Sequence, residues 1–234
     1  VIVTAYAKNS TYGNEQLRLT VTTEKGEVLE YVFYANSATN GSTDTYKDYV
    51  IQTISNSTNH GKVIATGYLE VKDSAGNVIA KQSFAGGIVG STWGDVLGCY
   101  NYGAVTGNQS MVGGIVGALY NGNIGTSLKS DGTINRKTTN NGTIKGTNSV
   151  AGIVGSIPAA SDSSRTITNV VNYGVVMGTG NKVGGIVGDL VDTNITNATN
   201  EGLVEGNERV GGIVGYCNTT QQPIWGCSNS AEIT

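Results

Sequence analysis

The chain's 234 residues allow one or two domains; 35 glycines beside only 2 prolines exclude collagen and proline-rich linkers, and charged residues, at 13%, are about half as frequent as usual. A net charge of −3 without any basic stripe excludes a nucleic-acid or anionic-membrane partner, and no apolar run approaches the roughly 18 residues of a membrane span. Three cysteines fit neither a dense disulfide framework nor a C-x-x-C metal site, while abundant Asn, Thr and Ser suit β-structure with many tight turns.

The chain opens on Val1-Ile2-Val3-Thr4 with no charged or apolar leader, so any export signal is expected to have been removed. Residues 1–84 hold seven of the twelve tyrosines and read as a series of strands. Residues 18–22 (RLTVT), 30–34 (EYVFY), 67–71 (GYLEV) and 78–80 (VIA) are rich in β-formers, and 73–77 (DSAGN) reads as a hairpin loop. That pattern predicts a small β-sandwich of immunoglobulin-like or fibronectin-like size over 1–84; the alternative is an irregular β-cap.

From residue 85 the sequence repeats. The hexapeptide AGGIVG at 85–90 returns as VGGIVG at 112–117, VAGIVG at 150–155, and VGGIVG at 183–188 and 210–215, with spacings of 27, 38, 33 and 27 residues. A second motif, Asn-x-Gly-x-Val/Ile-x-Gly, follows at Asn101, Asn140, Asn172 and Asn200, and a worn copy starts at Asn229. The distance from each Asn to the next hexapeptide is 10 or 11 residues, whereas the distance from each hexapeptide to its Asn runs from 11 to 23. One part of the repeat is fixed and the other absorbs every insertion, which is how a solenoid coil behaves. The chain is therefore expected to be all-β, a small N-terminal β-sandwich followed by a parallel β-solenoid of about five coils over 85–234.

Comparing copies assigns faces, because side chains alternate along a strand. The column Val105, Ile144, Val176, Val204, Ile233 is always β-branched and is expected to face inward; its neighbours include Lys145, Glu205 and Glu232 and are expected to face solvent. The repeated Asn has inward parity and is expected to stack as an amide ladder. In the hexapeptide the adjacent Ile and Val point to opposite faces of a regular strand. Either that strand is covered on both sides, or the double glycine bends the chain and turns both inward.

The two motifs resemble the GLUG motif family, and the resemblance covers about 150 residues in five copies. It implies an exported bacterial protein, such as the surface, lipoprotein and cell-adhesion proteins of Bacteroides-like organisms, displayed at the cell surface and outer-membrane anchored after signal removal. The same repeat occurs in non-catalytic regions of IgA-specific metallopeptidases. The resemblance implies no chemistry, no cofactor and no catalytic residue. The partner it implies is a host or cell-surface glycan or protein.

The residues point the same way. A zinc peptidase needs two histidines one helical turn apart with a glutamate; this chain has only His60, in a polar stretch read as a solvated loop. Asp95, Asp131, Asp162, Asp189 and Asp192 fall at different offsets in different repeats and form no carboxylate column of the kind a β-helix glycosidase uses. Residues 189–194 could supply oxygens to Ca²⁺ but lack a recognisable loop pattern. Cys99 and Cys227 share a register three copies apart, too far to bond, and read as buried small residues; Cys217 and Cys227 flank one loop, and a bridge between them is left open. Trp93 and Trp225 are read as loop anchors rather than exposed stacking platforms. No enzymatic activity is expected. The contact surface is expected on the insertion segments 91–100, 118–139, 156–171, 189–199 and 216–228, with a purely structural stalk and a carbohydrate-active β-helix enzyme as the rival readings.

Overall fold

In the computed structural model, residues 2–8, 16–22, 28–36, 48–108, 110–159, 165–218 and 223–234 are described, and among them every regular element is a strand. Strands β1 (Ile2–Lys8), β2 (Gln16–Thr22), β3 (Val28–Asn36) and β4 (Asp48–Ser55) form an antiparallel meander. β4 then pairs in parallel with Asp95–Leu97, so the meander continues edge-on into a wall of the solenoid.

Five parallel walls run the length of the stack. The first is built from β4, Asp95–Leu97, Ile124–Gly125, Thr166–Thr168, Asn194–Thr196 and Ile224–Trp225. The second runs from Thr58–Asn59 to Ser228–Asn229, and the third from Val63–Ala65 to Val204–Glu205 with a last bridge to Ile233. The fourth begins at Ala85–Gly86 and ends at Glu208–Gly211; the fifth begins at Val89–Thr92 and ends at Val214–Asn218. The chain passes through the walls in that order, giving five complete coils and part of a sixth.

The solenoid thus starts at Asp48 and not at residue 85. Asn59-His60-Gly61-Lys62-Val63 is a sixth copy of the Asn motif, paired in register with residues 101–107. Ala65 takes the place of the motif's last glycine, and the hairpin Leu69–Lys72/Val78–Gln82 stretches the step from Asn59 to Ala85 to 26 residues. That insertion hides the copy from a search by spacing. The second sheet that a sandwich over 1–84 would need is not among the described pairings. The described residues of that span form the meander, most of the first coil and the hairpin.

The inward columns hold the coils together. Ile54, Val96, Ile124, Ile167 and Ile195 line the first wall at 5% exposure or less, and Val105, Ile144, Val176 and Val204 line the third at 0%. Each such side chain contributes about 1.5–3 kcal/mol by leaving water. Ile233, with no coil beyond it, is 37% exposed at the same register.

The hexapeptide is a corner. Its first two residues end the fourth wall, the second glycine and the Ile form a bend, and the Val opens the fifth wall. The bend turns both apolar residues inward: Ile115, Val116, Ile153, Val154, Ile186 and Val187 are all fully buried in one core cluster. One residue in each of the last four fourth-wall strands, at Met111, Ser149, Lys182 and Arg209, has positive φ (64°, 51°, 64° and 55°). This left-handed kink costs each L-residue roughly 1–2 kcal/mol, and packing of the Val that follows it offsets that cost.

The repeated asparagines stack as expected, with six rungs. Asn59 donates to Asn101 Oδ1 (2.8 Å), Asn101 to Asn140 (2.8 Å), Asn140 to Asn172 (2.8 Å), Asn172 to Asn200 (2.7 Å) and Asn200 to Asn229 (2.7 Å). The second N–H of Asn101, Asn140, Asn172 and Asn200 goes to the carbonyl of the glycine two residues on, at 2.8–3.0 Å. The four inner amides are 0% exposed, and this geometry satisfies both of their donors locally.

Candidate functional site

The insertion segments are only partly loop. Each contains a first-wall strand, and Ile124, Ile167 and Ile195 within them are core residues. Residues 160–164 and 219–222 of two segments, Asp162 among them, lie outside the described residues. The longest insertion resolves into a hairpin, Ser127–Leu128 paired with Ile134–Arg136, at the corner between first and second walls. Asp131 closes its turn: hydrogen bonds from the Thr133 hydroxyl and backbone N–H hold its carboxyl below the usual range.

This hairpin is fastened to the first coil. Ser127 donates to Asn56 Oδ1 (2.6 Å), and Arg136 donates to the Asn56 carbonyl (3.0 Å) and to Thr58 Oγ1 (3.0 Å). The Arg136 guanidinium lies over the Tyr100 ring, 4.0 Å from its centroid, and has no carboxylate partner among the described residues. A cation held over a ring face in this way gains about 0.5–2 kcal/mol.

Between the hairpin and the outer face of the second wall is an open cleft of about 520 Å³. It is lined by Tyr100, Tyr102, Tyr173, Arg136, Lys137 and Ile134, among others. Tyr102 and Tyr173 occupy one column, the residue after the ladder Asn, two coils apart; both are 49% exposed. His60 stands in that column in the first coil and stacks on Tyr102, with ring centroids 4.9 Å apart and planes 2° from parallel. The lone histidine is exposed and outside the strands, as a loop residue is expected to be, and its ring joins an aromatic row just past the second wall. The tyrosine column is visible in the motif copies; the row emerges only once Asn59 is recognised as a rung.

A second hollow of about 320 Å³ lies round the corner, on the third wall's outer face. Lys62, Ala104, Thr106, Thr143 and Lys145 line it. Lys62 and Lys145 are outward residues of the first and third coils.

The other candidates are dispersed. Asp95 accepts from the Asn123 backbone (2.7 Å) and side chain (3.2 Å), fixing a corner, and Asp189 is paired with Lys182 at 2.8 Å. That ammonium occupies one of the two carboxylates, Asp189 and Asp192, that residues 189–194 would offer to Ca²⁺. Among the described residues no three His, Cys, Asp or Glu side chains are gathered for a metal. Trp93 (55% exposed, stacked on Tyr120 at 4.4 Å) and Trp225 (60% exposed) are surface residues, not buried anchors: Trp93 falls in a bend between two walls, and Trp225 is the outward residue of the first-wall strand Ile224–Trp225.

Cys99 is fully buried, and burial pushes its thiol up to about 11; Cys217 and Cys227 are not bridged. In the folded protein at pH 8, iodoacetamide is expected to label Cys217 and spare Cys99, because attack requires a thiolate and access. Mass spectrometry of the labelled peptides checks this, and equal labelling of both would contradict the buried position.

No family model matches the chain, and no curated protein matches it. Among solved structures, the chain is similar to a putative immunoglobulin A1 protease from Bacteroides ovatus, at 17% identity and a TM-score of 0.44. The alignment covers 79% of this chain and 64% of that one. By its own geometry the chain is an all-β protein built on a parallel β-solenoid, with a fastened hairpin and an aromatic cleft on its side.

Proposed function

We propose that this chain is a non-catalytic ligand-binding region of a bacterial cell-surface protein, displayed outside the cell, and that it adheres through the cleft beneath the 127–136 hairpin. The GLUG-like motif pair supports the surface assignment. One observation carries the binding reading: the chain's longest insertion is folded onto a row of half-exposed aromatic rings and leaves an open cleft beside them. Aromatic rings and arginine are enriched among the groups that anchor ligands at interfaces. The rigid ladder behind the wall keeps the rings in place, which lowers the ordering cost of binding. An enzyme would need convergent carboxylates, and Asp95, Asp131 and Asp189 serve separate structural contacts.

Immobilised glycan and host-matrix protein panels test this. Wild-type protein is expected to bind a subset of probes, and replacing residues 128–135 with Gly-Gly is expected to weaken that binding about tenfold or more, or about 1.4 kcal/mol. Because the hairpin lies outside the core, thermal unfolding is expected to shift by only a few degrees. Binding that survives the replacement unchanged overturns the cleft as the contact surface. No binding to either panel favours a purely structural stalk.

A further inference from the structure

We infer that the ligand of this cleft is an acidic polysaccharide, with an anionic group once per disaccharide, lying along the solenoid axis across the second and third walls of the first four coils. This rests on the ligand-binding reading and narrows it to a class.

Charge is the first observation. The cleft and the adjoining hollow are lined by Arg136, Lys137, Lys62 and Lys145, and by no Asp or Glu, although the whole chain carries a net charge of −3. Outward acids on the same two walls, Glu201, Glu205 and Glu232, all stand in the fifth and sixth coils. The positive end is therefore set off from a negative end on one continuous surface. Uncompensated cations beside a cleft attract and orient an anionic ligand.

Spacing is the second. Tyr102 and Tyr173 are two coils apart, as are Lys62 and Lys145; at ~4.8 Å per coil each pair is separated by about 10 Å along the axis. That is comparable to the length of one disaccharide. A ring face at each end of such a step can stack on the apolar face of every second sugar. The lysines bracket a step of the same length one coil earlier, on either side of the inward column (Lys62 before Val63, Lys145 after Ile144), and their ammoniums can meet an anionic group that recurs with that period. One face of an extended peptide presents side chains about every 6.6 Å, and one DNA strand presents phosphates about every 3.4 Å, both shorter than this step. A neutral glycan would leave all four cations unused.

Carboxylate and sulfate share this chemistry, and probes that carry one or the other separate them. Affinities of the intact chain are measured for a hyaluronan octasaccharide (carboxylate only), a keratan sulfate octasaccharide (sulfate only) and a neutral chitin hexasaccharide. One or both acidic probes are expected to bind at least tenfold more tightly than the chitin probe, and the difference is expected to shrink as salt rises from about 50 to about 300 mM. Lys62→Gln with Lys145→Gln, both exposed, is expected to weaken the acidic probe about tenfold without changing thermal unfolding, and Tyr173→Ala is expected to weaken it by a similar factor. Equal affinity for the chitin probe, or unchanged affinity in the lysine pair or in Tyr173→Ala, overturns the inference. If no acidic saccharide binds while some other probe binds in a hairpin-dependent way, this inference falls and the ligand-binding reading stands. If nothing binds, both fall.

Discussion

Replacing Asn140 with alanine is expected to destabilise the protein by about 3–5 kcal/mol, enough to consume a large fraction of an ordinary domain's stability. Asn140 is a middle rung, 0% exposed. It accepts from Asn101 Nδ2 and from the Gly142 N–H, and it donates to Asn172 Oδ1 and to the Gly142 carbonyl. Truncation removes all four bonds at once and strands groups that water cannot reach, each at roughly 1–3 kcal/mol less whatever a second partner retains. Asn229, the last rung, is exposed, accepts from Asn200 and donates to the Ala231 carbonyl, and water can replace both bonds, so Asn229→Ala is expected to cost about 1 kcal/mol. Urea unfolding of the two variants measures the contrast. Equal losses at both sites would show that the ladder has no buried interior. A neutral Asn140→Ala would show that the amides are dispensable to the stack.

The ladder is legible in the sequence because it depends on parity, and five copies fix parity well. So is the inward Val/Ile column, whose members are fully buried wherever another coil covers them. The hexapeptide can be read from sequence only as an alternative, since a regular strand would put Ile115 and Val116 on opposite faces; the bend at the second glycine is a tertiary fact. Asn59 escapes a sequence reading for a different reason. Its spacing is broken by a hairpin, and a one-dimensional search weighs spacing while the sheet weighs only register.

The cleft is legible in pieces. Segment 118–139 is expected from its length to carry contacts, and the tyrosines are visible in the motif. What sequence cannot supply is direction. An inserted hairpin can lean toward either neighbouring wall, and only the bonds from Ser127 and Arg136 to Asn56 and Thr58 decide that it leans over the second. Trp93 fails as a buried anchor for a related reason: a bulky residue in a bend packs inward or outward according to backbone direction there, which composition does not encode. Trp225 fails because it takes the outward parity next to the inward Ile224.

The ladder also explains why the two motifs travel together. A Cβ added to the second glycine of each hexapeptide would strike the ladder amide of the next coil: Gly87 meets Asn101, Gly114 meets Asn140, Gly152 meets Asn172, Gly185 meets Asn200 and Gly212 meets Asn229. The hexapeptide corner and the asparagine column thus press on each other across the interior, and the amides take the space that the missing side chains leave. Gly114→Ala is accordingly expected to be strongly damaging, because its methyl would overlap both the Gly152 carbonyl and the Asn140 side chain. Neither a backbone carbonyl in a paired stack nor a four-bonded amide can yield cheaply, so the loss is expected to reach about 3 kcal/mol or more. Gly67, where an added Cβ meets nothing within 4 Å, is the matched control, and Gly67→Ala is expected to lie within about 0.5 kcal/mol of wild type. Combining Gly114→Ala with Asn140→Ala should cost less than the sum of the two, since the smaller side chain removes one of the two overlaps. Strict additivity in denaturant unfolding would mean that glycine and asparagine do not share that space.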